Sequence, residues 1–293
     1  MKYYDCFMYF DEDMVLDLRL NILDRYVSKF IICEATYNHK GLKKKLNFNI
    51  ENFQKFKEKI IYIVLDKNSP DLITINDNDT LETKNKKILH NSINRDVYQR
   101  NHLMTEISKL DDDDLIFISD LDEIPNLENF QYKSKINVFV QDMFSYKFNL
   151  KLPNRKWIGS RACKKKHLIS PQWLRNIKNK SYPPWRLDTF FSNKKYMNLN
   201  YIENGGWHFT SIKTAKELFH KLTSFAHHLE FEESGLKLND IEEYIKNKKN
   251  FYNYSVDKKE KKYSGEESLI VEKKDKLPKY ITDNIFKYKD WLA

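Results

Sequence analysis

The sequence predicts an α/β protein built on a mixed, mostly parallel sheet flanked by helices. Apolar, β-branched runs of strand length recur near residues 4–10, 27–33, 60–65 and 115–119, and stretches with helical periodicity separate them. The 293 residues, 41% of them hydrophobic, are enough to bury a sizeable core. Alternating strands and helices form parallel units covered on both faces, and such sheets bind ligands beyond the carboxyl ends of their strands.

Tyr4–Phe10 reads as the first strand, and Asp11, Glu12 and Asp13 offer carboxylates to cap a helix starting near residue 13. Val15, Leu16, Leu18, Leu20, Ile22, Leu23 and Tyr26 give that helix a wide buried side, and Val27–Cys33 is the second strand. A helix near Asn52–Lys59 and a strand at Ile60–Leu65 complete another unit. Residues 66–86 are rich in Asp, Asn, Lys and Thr and read as an exposed, mobile connection that orders around ligand. Helical periodicity returns from Lys87 to Leu110, Asp111–Asp114 reads as a solvated turn, and Leu115–Ser119 is the next strand. One or two strands follow in 136–150, whereas 151–205 mixes Trp, Pro, Arg and Lys without a period. Lys213–Glu232 and Asn239–Asn250 read as helices, and the Lys-rich tail after Asp257 as a surface element with Trp291 docked locally.

The formal charge of +9 favours anionic ligands such as nucleotide diphosphates, nucleic acid or acidic membranes without choosing among them, and a solvated lysine-rich surface explains it equally well. Cys6, Cys33 and Cys163 are odd in number, lack Cys-x-x-Cys spacing and read as buried and reduced. No run of about 18 apolar residues and no signal-peptide core is present, so the expectation is a cytoplasmic protein without a transmembrane segment.

The segment that carries chemistry is Ser119-Asp120-Leu121-Asp122-Glu123-Ile124-Pro125. Asp120 and Asp122, just past a buried strand, can share one divalent cation directly or through water, and oxygen ligands suit Mn²⁺ or Mg²⁺. An Asp-x-Asp pair alone is a weak signal, because acidic turns at strand ends are common. Here five apolar residues precede it and a rigid Ile-Pro turn follows. A cation held there would offset charge building on a diphosphate leaving group.

Several separated segments together resemble glycosyltransferase family 17, the β-1,4-mannosyl-glycoprotein β-1,4-N-acetylglucosaminyltransferases, in their soluble microbial or viral-type form. Phe30–Ala35 followed by Tyr37, His39, Gly41, Lys44 and Leu46 is similar to the family's early strand and loop, with Asn38 where Thr is usual. Asn94–Asn101 resembles its Arg-rich helix, and Ser119–Pro125 its acidic motif. Gly205–Thr210 and Lys221–His227 with Glu230 resemble two later segments, His228 leaving the register of the second open by one residue.

The resemblance runs through residues 5–232. It implies a GT-A-type catalytic domain over 1–235, with 236–293 as a helical, Lys-rich extension packed on it. It further implies inverting transfer of N-acetylglucosamine from a UDP-sugar donor to a glycan or glycoconjugate acceptor, with no nucleic acid as partner. On that reading Asp122 ligates the metal directly, Asp120 meets it through water or contacts the donor, and His208 and His227 complete the shell. Glu34, Lys44, Arg95, Arg100 and Trp207 are donor-side candidates, and Glu123 supports the site or orients the sugar. An inverting transfer also needs a carboxylate that takes the acceptor's proton. Glu34, Asp188, Glu203 and Glu230 are available, Glu230 being the first choice. Residues 151–205 would wall the acceptor side, and Trp157, Trp173, Trp185 and Trp207 could stack on sugar rings. A metal-dependent nuclease or phosphohydrolase, or a non-enzymatic basic glycan- or nucleic-acid-binding module, would use the same acids and charge, but the ordered family segments favour transfer.

Overall fold

The structure is a computed structural model that describes residues 1–180, 182, 185, 187–189, 191–224, 228–254 and 262–293. The chain opens with β1 (Tyr3–Met8), α1 (Asp13–Leu23) and β2 (Lys29–Ala35), continues through β3 (Ile60–Leu65), α2 (Leu81–His102) and α3 (Met104–Ile107), and reaches β4 (Leu115–Ile118). Then follow β5 (Glu123–Pro125), β6 (Ile136–Ser145), β7 (Leu150–Lys164), α4 (Pro171–Asn176), β8 (Leu199–Ile202) and β9 (Gly206–Thr210). The remainder comprises α5 (Ala215–Ser224), α6 (His228–Ser234), α7 (Leu238–Lys246), β10 (Lys249–Asn250), β11 (Glu267–Ser268), β12 (Ile270–Val271) and α8 (Lys279–Asp283).

The main sheet runs in the order β3-β2-β1-β4-β7-β6-β9-β5, with β8 on β6 and β12 on β7. The first four strands are mutually parallel. β7 lies antiparallel to both β4 and β6, and β9 runs parallel to β6. The carboxyl ends of β1, β2, β4, β6 and β9 therefore share one edge, where sheets of this kind bind ligands.

Side chains alternate across each strand, so one strand feeds two cores. Phe7, Phe30, Ile32 and Phe117 face Leu16 and Leu20 of α1, whereas Cys6, Ile31, Cys33 and Ile116 face Leu103, Ile107 and Trp173 on the opposite side. All three cysteines are buried and unpaired, as expected.

Several expectations change. The stretch near Asn52–Lys59 forms two short 3-10 pieces across 50–59 that meet in a kink at Phe53 (φ −130°, ψ 30°), and Phe53 and Phe56 are its buried residues. Glu12 makes no capping bond at the start of α1; the Tyr9 hydroxyl donates to Asp13, while Asp11 and Glu12 pair with Lys213 and Lys221. Of the acidic turn, Asp112 and Asp113 are exposed, but Asp114 is buried and accepts the Lys2 backbone N–H at 2.7 Å. Residues 151–205 open with most of β7, whose lack of hydrophobic alternation reflects a strand half covered by other elements. Of the expected helix Lys213–Glu232, the described residues are helical from Ala215 to Ser224 (α5) and from His228 onward (α6), 225–227 lying outside them, whereas the helix expected to reach Asn250 ends at Lys246, followed by β10. The tail is more than a surface element, because β12 joins β7, Tyr288 is fully buried, and the Trp291 carbonyl accepts the Phe148 N–H.

Candidate active site

A cleft of about 600 Å³ opens at the shared strand edge, with Asp120 and Asp122 in its wall. The turn carrying them is fixed from behind by a fully buried arginine. Arg19, on the inward side of α1, donates from Nε and Nη2 to Asp5 at 2.7 and 2.6 Å. Its Nη1 donates to the carbonyls of Asp120, Leu121 and Glu123 at 3.1, 3.0 and 2.8 Å, and Nη2 also reaches Ser119 Oγ at 3.0 Å. Three carbonyls drawn toward one guanidinium commit the turn's backbone inward, which leaves the Asp120 and Asp122 carboxylates to the cleft. The charge on Arg19 is matched by Asp5, as burial of an ion requires.

Alternating charges continue across the floor. Arg100 of α2 joins Asp96 at 2.8 Å to Asp120 at 3.0 Å. Arg175 of α4 donates to the other Asp120 oxygen at 2.9 Å and grips Glu123 at 2.5 and 2.9 Å. Burial works to raise the Asp120 carboxyl, but Arg175 and Arg100 outweigh it and hold the group far below the usual carboxylate range. Glu123 is fully buried, and Gly159 makes room for it: a Cβ there would stand 2.5 Å from the carboxyl carbon.

Asp122 is placed differently. Its carboxylate lies 3.6 Å from His208 Nε2, and its carbonyl accepts the Phe209 N–H at 2.8 Å, locking the turn to β9. Burial alone would raise the Asp122 carboxyl and lower the His208 imidazole; their mutual attraction outweighs both effects, so Asp122 falls and His208 rises from their ordinary values. Trp157 stacks on the His208 ring and donates to Glu123.

Among the described residues no group of three or more His, Cys, Asp or Glu side chains is arranged to enclose a metal ion. Asp122 and His208 nevertheless fit one as a pair, with an oxygen and an imidazole nitrogen at the cleft wall, a donor set more natural for Mn²⁺ than for Mg²⁺. Each Asp120 oxygen, by contrast, is held by an arginine. His227 lies outside the described residues.

The other expected residues are distributed unevenly. Lys44 and Arg100 line the cleft. Glu34 lies fully buried behind Lys44 and accepts from its ammonium, from the Asn47 and Phe48 backbone N–H groups and from the Tyr62 hydroxyl, which pins the loop after β2. Arg95 points away from the cleft to Asn68 and the His39 carbonyl, both at 3.0 Å; five residues along a helix place it and Arg100 on different faces. Trp207 alternates with His208 on β9 and donates to the Lys276 carbonyl at 3.0 Å on the far side. Glu230 is buried beside Lys262 at 3.3 Å and outside the cleft wall. Of the tryptophans considered for sugar stacking, Trp157 lines the cleft.

Sequence reasoning passed over Arg19, Arg175 and the Glu12–Lys221 pair, whose partners stand 3.1 Å apart at the cleft. Arg19 did leave a signal, a lone charge among the apolar positions of a buried helix face. Arg175 left a weaker one in Ser170-Pro171, a capping serine and first-turn proline announcing a short helix.

The chain matches the family model of glycosyltransferase family 17 over residues 1–292. It belongs to glycosyltransferase family 17. No individual curated protein matches it. The family match extends through the C-terminal residues that carried no recognisable motif. As a glycosyltransferase the protein takes a sugar donor and an acceptor. No helix among its described residues is long and apolar enough to cross a membrane.

Proposed function

We propose that this glycosyltransferase moves N-acetylglucosamine from UDP-N-acetylglucosamine to a glycan acceptor with inversion, assisted by Mn²⁺ or Mg²⁺. The observation that carries this reading is the Asp122–His208 pair, two ligand atoms 3.6 Å apart on one cleft wall, with Arg100, Lys44 and Lys221 lining the same cavity. A bound cation would act as a Lewis acid that offsets charge on the departing UDP. Asp122 and His208 would hold it, and the three cationic side chains would face the donor's diphosphate. Asp120, neutralised by two arginines, would keep the turn in place and offer its remaining acceptor capacity to the donor's ribose or sugar.

Calorimetric titration of UDP and a panel of nucleotide sugars, with Mn²⁺ or with chelator, tests the reading. Expected is metal-dependent UDP binding that Asp122→Asn abolishes while the thermal unfolding midpoint holds, with UDP-N-acetylglucosamine binding best among the sugars. Absence of nucleotide binding under every metal condition would remove the donor assignment; tighter binding of another nucleotide sugar would replace the donor.

A further inference from the structure

The cleft has two chemically different halves. Toward β1, β2 and α2 its wall carries Lys44, Arg100 and His39, which suit an anionic ligand. Toward β6 and β9, beside Ser145, His208 and Thr210, the wall carries an aromatic group, Trp157 and, from beyond α7, Phe251, Tyr252, Tyr254 and Tyr263, with Asn253 between them and Lys262 paired to Glu230. These rings brace one another. Phe251 stacks on Tyr263 with centroids 6.1 Å apart and planes at 19°, Tyr252 meets the edge of Tyr263 at 5.4 Å, and Tyr254 lies against Tyr252 at 4.6 Å. Phe251 also packs on the buried Tyr146. The cluster is rooted in the core, while Tyr252 and Tyr254 remain partly exposed.

Tyr254 lines the same cleft as Asp122 and His208. An aromatic ring with a polar tip, held rigid by its neighbours, suits a ligand with an apolar face and hydroxyl edges. A neutral pyranose is such a ligand, and Lys262, the cation of this half, is already paired with Glu230 at 3.3 Å.

We propose that Tyr252 and Tyr254 form a stacking platform for a neutral pyranose ring of the acceptor. The proposal rests on the glycosyl-transfer reading above and assigns the acceptor subsite to the C-terminal extension instead of residues 151–205. The alternative use of such rings is to stack on the donor's uracil, and the test separates the two.

The full-length protein is probed by saturation-transfer NMR with two neutral disaccharides, chitobiose and mannobiose, and separately by calorimetry with UDP and Mn²⁺. Tyr252→Ala and Tyr254→Ala are expected to weaken saccharide binding about tenfold or more, while the UDP Kd stays within about twofold and Tyr254→Phe binds saccharide like wild type. A tenfold loss of UDP affinity in the alanine variants would assign the rings to the base instead. Saccharide signals unchanged in those variants, or no signal from either disaccharide with wild type, would also overturn the platform. Failure of the donor reading has a separate signature, wild type that binds no nucleotide.

Discussion

Trp157 and His208 stack with ring centroids 4.7 Å apart and planes 27° from parallel, and the same indole donates its N–H to Glu123 at 2.6 Å. One side chain of β7 therefore connects the imidazole at the cleft wall to the buried carboxylate gripped by Arg175. The His208 Nδ1 has no hydrogen-bond partner among the described residues, so the ring is oriented by the flat contact with Trp157 and by the Asp122 carboxylate beside Nε2.

Groups that orient a metal ligand commonly change metal affinity by about 10–100-fold when removed. Trp157→Ala should weaken Mn²⁺-dependent UDP binding by about tenfold or more, measured by calorimetry, and Trp157→Phe, which keeps a stacking face but loses the N–H, should fall between it and wild type. Equal losses in both variants would transfer the effect from the stack to the Glu123 bond.

Arg19 predicts a separation between stability and binding. Arg19→Met leaves Asp5 buried without its counter-charge and should cost about 3–5 kcal/mol in urea unfolding. Asp5→Leu combined with Arg19→Met removes the orphaned charge and should recover much of that stability. It cannot restore the donors to the Asp120, Leu121 and Glu123 carbonyls, so UDP binding should stay impaired in the double variant. Recovery of both properties would mean that the turn holds its shape without Arg19.

Arg175 makes a prediction about acid. The folded-state pKa of Asp120 is depressed, foremost by Arg175 and then by Arg100 acting against burial, so its contribution to stability is full above the unfolded carboxylate value of about 3.9 and is lost as pH falls toward the folded value. Wild type should lose stability between about pH 5 and pH 2. Arg175→Ala should be less stable than wild type at pH 7, and the gap should narrow toward pH 3 because Asp120 is then less depressed. Urea unfolding across that range measures the gap; a constant gap would show that the loss comes from packing of α4 alone.

The strand order β1-α1-β2 and the acidic turn after β4 were legible because each rests on local pattern, a buried run followed by a proline-anchored cluster. Lys44 and His208, which line the same cleft, were singled out through the segments that resemble the family. Arg175 was not assigned, and Trp157 was considered only for sugar stacking, because their contacts at the turn come from α4 and β7 crossing behind it, a relation with more than thirty residues of sequence separation and no periodicity of its own. Arg95 shows the converse: it stood with Arg100 among the donor-side candidates, yet its guanidinium serves the loop after β2.

That loop supplies the last prediction. Gly41 has φ of +87°, and a Cβ added there would run into the Arg95 guanidinium, which donates to the His39 carbonyl two residues earlier. Glycine is required at this turn both by its left-handed backbone and by the close approach of Arg95, rather than by a ligand. Gly41→Ala should cost about 1–2 kcal/mol from backbone strain, and more from the displaced arginine. Because His39 and Lys44 stand in the cleft wall on either side of it, UDP affinity should fall as well. Arg95→Ala removes the clash but not the strained φ, so in a double-mutant cycle measured by urea unfolding Gly41→Ala should cost less in the Arg95→Ala background than in wild type, yet still more than nothing. An equal cost in the two backgrounds would mean that the arginine moves aside freely and that the strain belongs to the backbone alone.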